Sequence, residues 1–241
     1  MPSNENACKL NNLKCVLIDI DNTLLDFGKS SRLAIIRTCE DFNIAYPPQI
    51  FDVFVKVTND MWRLIQDGKL TEARLRLIRW NAIFDELGIS ADGPAFEAIF
   101  NRHLKSCAVP VAGAEDILDY LHSKYLVCAA SNAPYGQQLR RMKLANLAQY
   151  VDEFFVSEHL GAQKPNPAFF EACLNGLNSA RGLDLKPQDL IMIGDDIHAD
   201  MLGAASYAIR TCWYNPLGLP NAENIQIDIT ISCLSDVRSF I

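Results

Sequence analysis

The chain has 241 residues, enough for one large α/β domain or for a core with a small insert. Hydrophobic residues make up 49% and charged residues 21%, an ordinary globular balance that excludes disorder as the default beyond the first dozen positions. A net charge of −7 excludes a broad electrostatic grip on a nucleic-acid polymer, but not a small phosphorylated ligand, because a metal ion and a lysine can reverse the local field. Apolar runs such as 126–130 and 190–193 are far too short to span a bilayer, so no membrane partner is expected. Residues 1–10 carry Glu5 and Lys9 and lack the apolar segment of a secretory leader, which points to a cytoplasmic protein. None of the eight cysteines forms a C-x-x-C pair, and Cys15, Cys128 and Cys212 fall in predicted buried strands. Reduced thiols packed as small hydrophobes are therefore expected, rather than disulfides or a zinc site.

In chain order, the first predicted strand is 15–18, a run of apolar residues without alternation, as in strands covered on both faces. From about 27 to 108 no strand is predicted. Helices at 30–42, 51–66, 72–87 and 95–106 fill that stretch, with Thr71 as N-cap of the third and Asp92 followed by Pro94 opening the fourth. A helix at 115–123 then leads to a strand at 125–130, a helix at 137–147 and a strand at 154–156. Asn166 and Pro167 start another helix, expected to end before Gly176. A strand at 190–193, a helix at 200–208 and strands at 211–214 and 227–231 complete the pattern. Strand–helix alternation of this kind implies a doubly wound parallel sheet, Rossmann-like in architecture, with an inserted all-helical cap domain. The boundaries are 1–26 plus 109–241 for the core and 27–108 for the cap. Ligands of such sheets bind beyond the carboxyl ends of the strands.

Those strand ends carry the polar residues. The first runs into Asp19-Ile20-Asp21-Asn22-Thr23, where two carboxylates two positions apart can face one cleft, although Asp and Asn also form ordinary turns. The strand at 125–130 leads into Ser131-Asn132, whose hydroxyl and amide can donate to an anion. Lys164 follows the strand at 154–156 in a stretch stiffened by Pro165 and Pro167, which suits a fixed cation. The strand at 190–193 ends in Gly194-Asp195-Asp196, with Asp200 five residues after Asp195. Asp196 is placed to cap a helix starting near Ile197, and His198 beside it reads as a surface residue. Each feature is weak alone; their succession at four strand ends is not.

These motifs resemble those of the haloacid dehalogenase superfamily: D-x-D-x-T, a strand-end Ser or Thr, a Lys, and G-D-x(4)-D. The resemblance spans about 13–231, and the helical insert stands where that family places its first cap type. It implies a Mg²⁺-dependent phosphomonoester hydrolase in which Asp19 attacks phosphorus to form an aspartyl phosphate. Asp21 would protonate the leaving oxygen and then take a proton from the hydrolytic water. Asp19, the Asp21 carbonyl and Asp195 would hold the metal, while Ser131, Asn132 and Lys164 would bind phosphate. Asp200 would orient Lys164 or a metal-bound water.

Further stretches resemble the bacterial pyrimidine 5′-nucleotidases with a helical cap. They are 156–158 through Gly161, Lys164-Pro165-Asn166, and 211–215, together with Trp62, Gln66, Gly68, Thr71, Arg79 and Trp80 in the insert. The implied substrates are nucleoside 5′-monophosphates, with dUMP, UMP and dTMP foremost. Trp62 is the candidate for stacking on the base, whereas Trp80 is expected to pack the insert's own helices. The alternatives on the same fold are a phosphatase of sugar phosphates or phosphoglycolate and a 2-haloacid dehalogenase. A dehalogenase needs neither an acid at position 21 nor a metal.

Overall fold

The computed structural model describes residues 12–222 and 224–241. The expectation of a leaderless start and the packing of Cys8 fall outside those residues. The chain divides into two compact units. One contains the described residues 12–26 and 109–241, the other Phe27–Ala108.

The first unit is built on a six-stranded sheet, parallel throughout, in the order β3-β2-β1-β4-β5-β6. Its strands are β1 (Cys15–Ile18), β2 (Leu126–Ser131), β3 (Glu153–Val156), β4 (Leu190–Gly194), β5 (Arg210–Tyr214) and β6 (Ile229–Ile231). The order places β1 between β2 and β4, with Ile18 level with both Ala129 and Ile193. The residues that follow these strands therefore emerge side by side at the topological switch point, where such sheets bind ligands. Both faces are covered. Cys15, Leu17, Cys128, Ala130 and Met192 pack against Phe169, Phe170, Cys173 and Leu177, while the alternate residues Val16, Ile18, Val127, Ala129, Ile191 and Ile193 are also fully buried. At about 1.5–3 kcal/mol per buried aliphatic or aromatic side chain, this double-sided burial is the main support of the sheet.

Helices connect the strands. In the second unit they are α1 (Phe27–Asp41), α2 (Ile50–Gln66), α3 (Glu72–Leu87) and α4 (Gly93–Leu104). In the first they are α5 (Ala114–His122), α6 (Tyr135–Leu144), α7 (Ser157–Leu160), α8 (Pro167–Arg181) and α9 (Gly203–Ser206). Most element ends lie within a few residues of those expected and α7 has no expected counterpart; two further differences have a distinct physical cause. Helix α8 does not end before Gly176: it continues to Arg181 and closes on Gly182, a left-handed C-cap at φ 62°. Gly176 serves packing, since a Cβ there would meet the Phe155 ring at 3.2 Å. The helix expected at 200–208 starts earlier, as a π-helical turn over Ile197–Leu202 capped by the Asp196 side chain, and α9 ends it at Ser206. The seven described cysteines are free thiols, six buried and Cys233 exposed. Among the described residues no helix is long and apolar enough to cross a membrane.

The second unit is all-helical, and its core is aromatic. Trp80 lies 4.3 Å from Phe96 and 5.6 Å from both Phe54 and Phe84, centroid to centroid. Buried in the same core, Arg79 makes a bidentate ion pair with Glu97 (2.8 Å) and sits about 5 Å from the Phe54 and Phe100 rings. Asn101 donates to the same carboxylate at 2.7 Å. Thr71 and Asp92 cap α3 and α4 by accepting from the backbone N–H groups of Arg74 and Ala95. Removing one partner of a buried pair leaves the other charge uncompensated, whereas an exposed pair contributes little. Glu97→Ala is expected to destabilise the protein by about 3–5 kcal/mol in urea denaturation, with Glu86→Ala, at the exposed Lys56–Glu86 pair, close to neutral. Equal effects of the two substitutions would contradict this account.

Candidate active site

Four segments that follow β1, β2, β3 and β4, together with α6, bring their polar residues together in the first unit. Asp19 follows β1, and its backbone N–H donates to Ile193 O at 2.9 Å, which fixes it beside β4. The chain then turns tightly. Asn22 adopts φ 61°, a left-handed conformation that asparagine tolerates better than most residues, and its N–H donates to Leu25 O at 2.7 Å. Thr23, fully buried, donates its hydroxyl to Asp195 Oδ1 at 3.3 Å.

Lys164 lies at the centre, 2% exposed. Its ammonium donates to Asp19 Oδ1, Asp200 Oδ1 and Ala130 O, each at 2.7 Å. An ammonium has three hydrogens, so all of its donors are occupied. Burial works against the charged lysine, but the flanking Asp19 and Asp200 carboxylates outweigh it and raise its pKa; Lys164 stays protonated. Asp200 is occupied at both oxygens, the second accepting from the Asp196 N–H at 3.2 Å. This carboxylate rests directly against Gly194, where an added Cβ would lie 2.1 Å from Oδ2. Only glycine fits there. Asp196 accepts from the N–H groups of His198 and Ala199 at 2.9 Å, which makes it the N-cap of the turn that follows.

The side-chain amide of Asn132, expected to face an anion, is instead occupied at both ends by the Lys164 backbone. It donates to Lys164 O and accepts from Lys164 N, each at 2.9 Å. Ser131 is buried, and its Oγ accepts from Ala133 N at 3.1 Å and from Gln138 Nε2 at 3.0 Å. Asp21 is gripped from α6: Arg141 Nη1 donates to Oδ1 at 2.5 Å, and Gln138 Nε2 to Oδ2 at 2.7 Å. No motif in the sequence marks Gln138 and Arg141. The available signal was two polar residues three apart, hence on one face of the helix that follows Ser131. Trp62 belongs to the other unit, half-buried on α2.

Oxygens of Asp19, Asp195 and Asp200 lie within 4.8 Å of one another, a group able to hold a metal ion. Three carboxylates share one ammonium, and the imbalance appears in their acidities. Burial, with Asp200 adding to it against the opposing pull of Lys164, pushes Asp19 up to about 8. Burial and the neighbouring Asp19 and Asp200 charges hold Asp195 well above the usual carboxylate range. Burial also raises Asp200 despite Lys164. An all-oxygen, over-anionic donor set of this kind fits a hard divalent cation.

A family model described as haloacid dehalogenase-like hydrolase matches residues 13–207. The HAD-hydrolase YfnB of Bacillus subtilis is 28% identical over 212 residues, 88% of each chain. Its magnesium-bound crystal structure superposes with a TM-score of 0.87 at 27% identity, covering 94% of this chain and 97% of that one. The pyrimidine 5′-nucleotidase PynA of Streptococcus pneumoniae is 28% identical over 214 residues, again 88% of each chain. The pyrimidine 5′-nucleotidase YjjG of Escherichia coli is 24% identical over 226 residues, 94% of this chain and 96% of its own.

A carboxyl group whose pKa is higher folded than unfolded binds more protons in the folded state, so stability falls as pH rises between the two values. For Asp19 that window runs from the ordinary 3.8 to about 8. In EDTA the melting temperature is therefore expected to fall across this range, and a divalent cation to restore it. Asp19→Asn should melt higher than the parent protein at pH 8 in EDTA. A lower melting temperature for that variant would refute the electrostatic account.

Proposed function

The chain belongs to the haloacid dehalogenase-like hydrolase family, and from that premise we propose that it is a Mg²⁺-dependent phosphomonoester hydrolase acting through an aspartyl phosphate, with nucleoside 5′-monophosphates as substrates. The observation that carries this reading is the buried Lys164 ammonium held 2.7 Å from Asp19 at the switch point of the sheet. It sets one fixed positive charge against a carboxylate that would otherwise repel a phosphate ester. Asp19, the Asp21 carbonyl and Asp195 are the residues proposed to hold Mg²⁺. Asp200 is left to Lys164 and the Asp196 N–H. When bound, the ion neutralises charge on the nucleophile and the phosphate.

The carboxylate of Asp19 attacks phosphorus, and the bond to the ester oxygen breaks. Asp21 delivers its proton to that oxygen, which leaves as an alcohol. Asp21, now ionised, takes a proton from a water that attacks the same phosphorus. The acyl phosphate bond then breaks, phosphate departs and Asp19 is regenerated. Such acid–base assistance contributes about 10²–10⁴ in rate. Ser131, with both lone pairs occupied, has only its hydroxyl proton to offer, and donates it to a phosphate oxygen together with the Asn132 backbone N–H. The Asn132 side chain keeps Lys164 in place.

A halide leaves without a proton, so a dehalogenase would have no use for an acid held as Asp21 is held. Support for nucleotides comes from PynA and YjjG, both named as pyrimidine 5′-nucleotidases and similar over most of the chain. The partner is thus a small phosphorylated metabolite. Trp62 is proposed to stack on the base, worth on the order of 1–3 kcal/mol.

Asp19→Ala is expected to abolish phosphate release while the fold, read by circular dichroism, survives; substantial residual turnover would end the mechanism. Parent activity should vanish in EDTA and return with Mg²⁺. Among nucleotides, hexose phosphates and phosphoglycolate at equal concentration, kcat/KM should be highest for dUMP, UMP or dTMP. A sugar phosphate or phosphoglycolate at the head of that series would overturn the substrate assignment and leave the chemistry standing.

A further inference from the structure

Gln138 and Arg141 are both fully buried, and both point from α6 into the site. Arg141 Nη1 donates to Gln138 Oε1 at 3.1 Å as well as to Asp21. A guanidinium can only donate, so the Gln138 oxygen must face Arg141 and the Gln138 NH₂ must face the other way. That NH₂ has two hydrogens, and two acceptors stand in front of it: Asp21 Oδ2 at 2.7 Å and Ser131 Oγ at 3.0 Å. The direction of every bond in the frame is thus set by Arg141. The Ser131 oxygen receives a second bond from Ala133 N at 3.1 Å, which exhausts its lone pairs and directs its proton outwards. Each Asp21 oxygen carries one of these bonds and keeps a second lone-pair direction, and the side chain stays 24% exposed. Asp21 is held without being sealed.

Resting on the acid/base role of Asp21 and the phosphate-binding role of Ser131 proposed above, we propose that Gln138 is the positioning residue that ties the two together. One amide aims the carboxyl group at the leaving oxygen and aims the hydroxyl proton at the phosphate, and Arg141 locks the amide's direction. Gln138 touches no reacting atom. A buried glutamine that merely fills space and satisfies its neighbours would affect stability alone, whereas this frame affects two separable steps.

The test uses the full chain with Gln138→Met, which keeps the side chain's length and removes its hydrogen bonds. Gln138→Glu is the companion, retaining acceptors for Arg141 but unable to donate to Asp21 or Ser131. The probes are phenyl phosphate, p-nitrophenyl phosphate and inorganic phosphate. Phenolate is the poorer leaving group and depends more on a delivered proton, so kcat/KM for phenyl phosphate should fall on the order of tenfold more than for p-nitrophenyl phosphate. Inhibition by inorganic phosphate should weaken on the order of tenfold as the Ser131 hydroxyl loses its direction. If a variant that melts cooperatively leaves both the leaving-group ratio and the phosphate inhibition unchanged, Gln138 is structural and the inference is overturned. Should the methionine variant fail to fold, the glutamate variant decides on the same two readouts. Asp21→Asn separates the two levels. If it changes the leaving-group ratio and the Gln138 variants do not, the acid/base role stands and the positioning role falls. If it leaves the ratio unchanged, both fall.

Discussion

A single ammonium group buried among carboxylates is what the site is arranged around. Lys164 carries it from the loop between α7 and α8, and its three hydrogens meet Asp19, Asp200 and the Ala130 carbonyl, so one side chain ties the ends of β1 and β2 to the π-helical turn after β4. Much of the local architecture follows from keeping it there. Asn132 brackets the Lys164 backbone from both sides, and Gly194 lacks the Cβ that would displace Asp200. A solvated lysine could not do this, because its charge would be screened and its rotamers free.

The same arrangement explains why the site is under electrostatic tension. Asp19, Asp195 and Asp200 lie close together with one lysine, which bonds only the first and the last, and each is pushed toward its protonated form by burial and by its neighbours. Such concentrated negative charge opposes folding and is retained where a function requires it. A divalent cation bound among these oxygens would relieve it.

The helical unit has a different physical character. Arg79 and Trp80, two of the residues that resemble those of helical-cap nucleotidases, are buried in its core, and Thr71 is an N-cap. Those resemblances therefore report how this unit folds rather than what it binds. Trp62 is half-buried on α2 and does not belong to that core.

From the sequence alone one could determine the parallel sheet, the all-helical insert and the strand-end residues Asp19, Asp21, Ser131, Lys164, Asp195 and Asp200. Doubly buried strands leave uninterrupted apolar runs, and polar residues that close such runs have few places to go other than the carboxyl edge of the sheet. What only the tertiary structure decided is which partners those residues take. Local signals placed the end of α8 at Gly176, but packing against Phe155 accounts for that glycine and the cap lies at Gly182. The Asn132 amide reads locally as an anion donor, yet across 32 residues it meets the Lys164 backbone. Gln138 and Arg141 stand 117 and 120 residues from Asp21, and a polar pair on one helix face resembles any solvated surface until β1 and α6 are brought together. Hydrogen bonds of that range depend on the three-dimensional register of the strands, which no local pattern encodes.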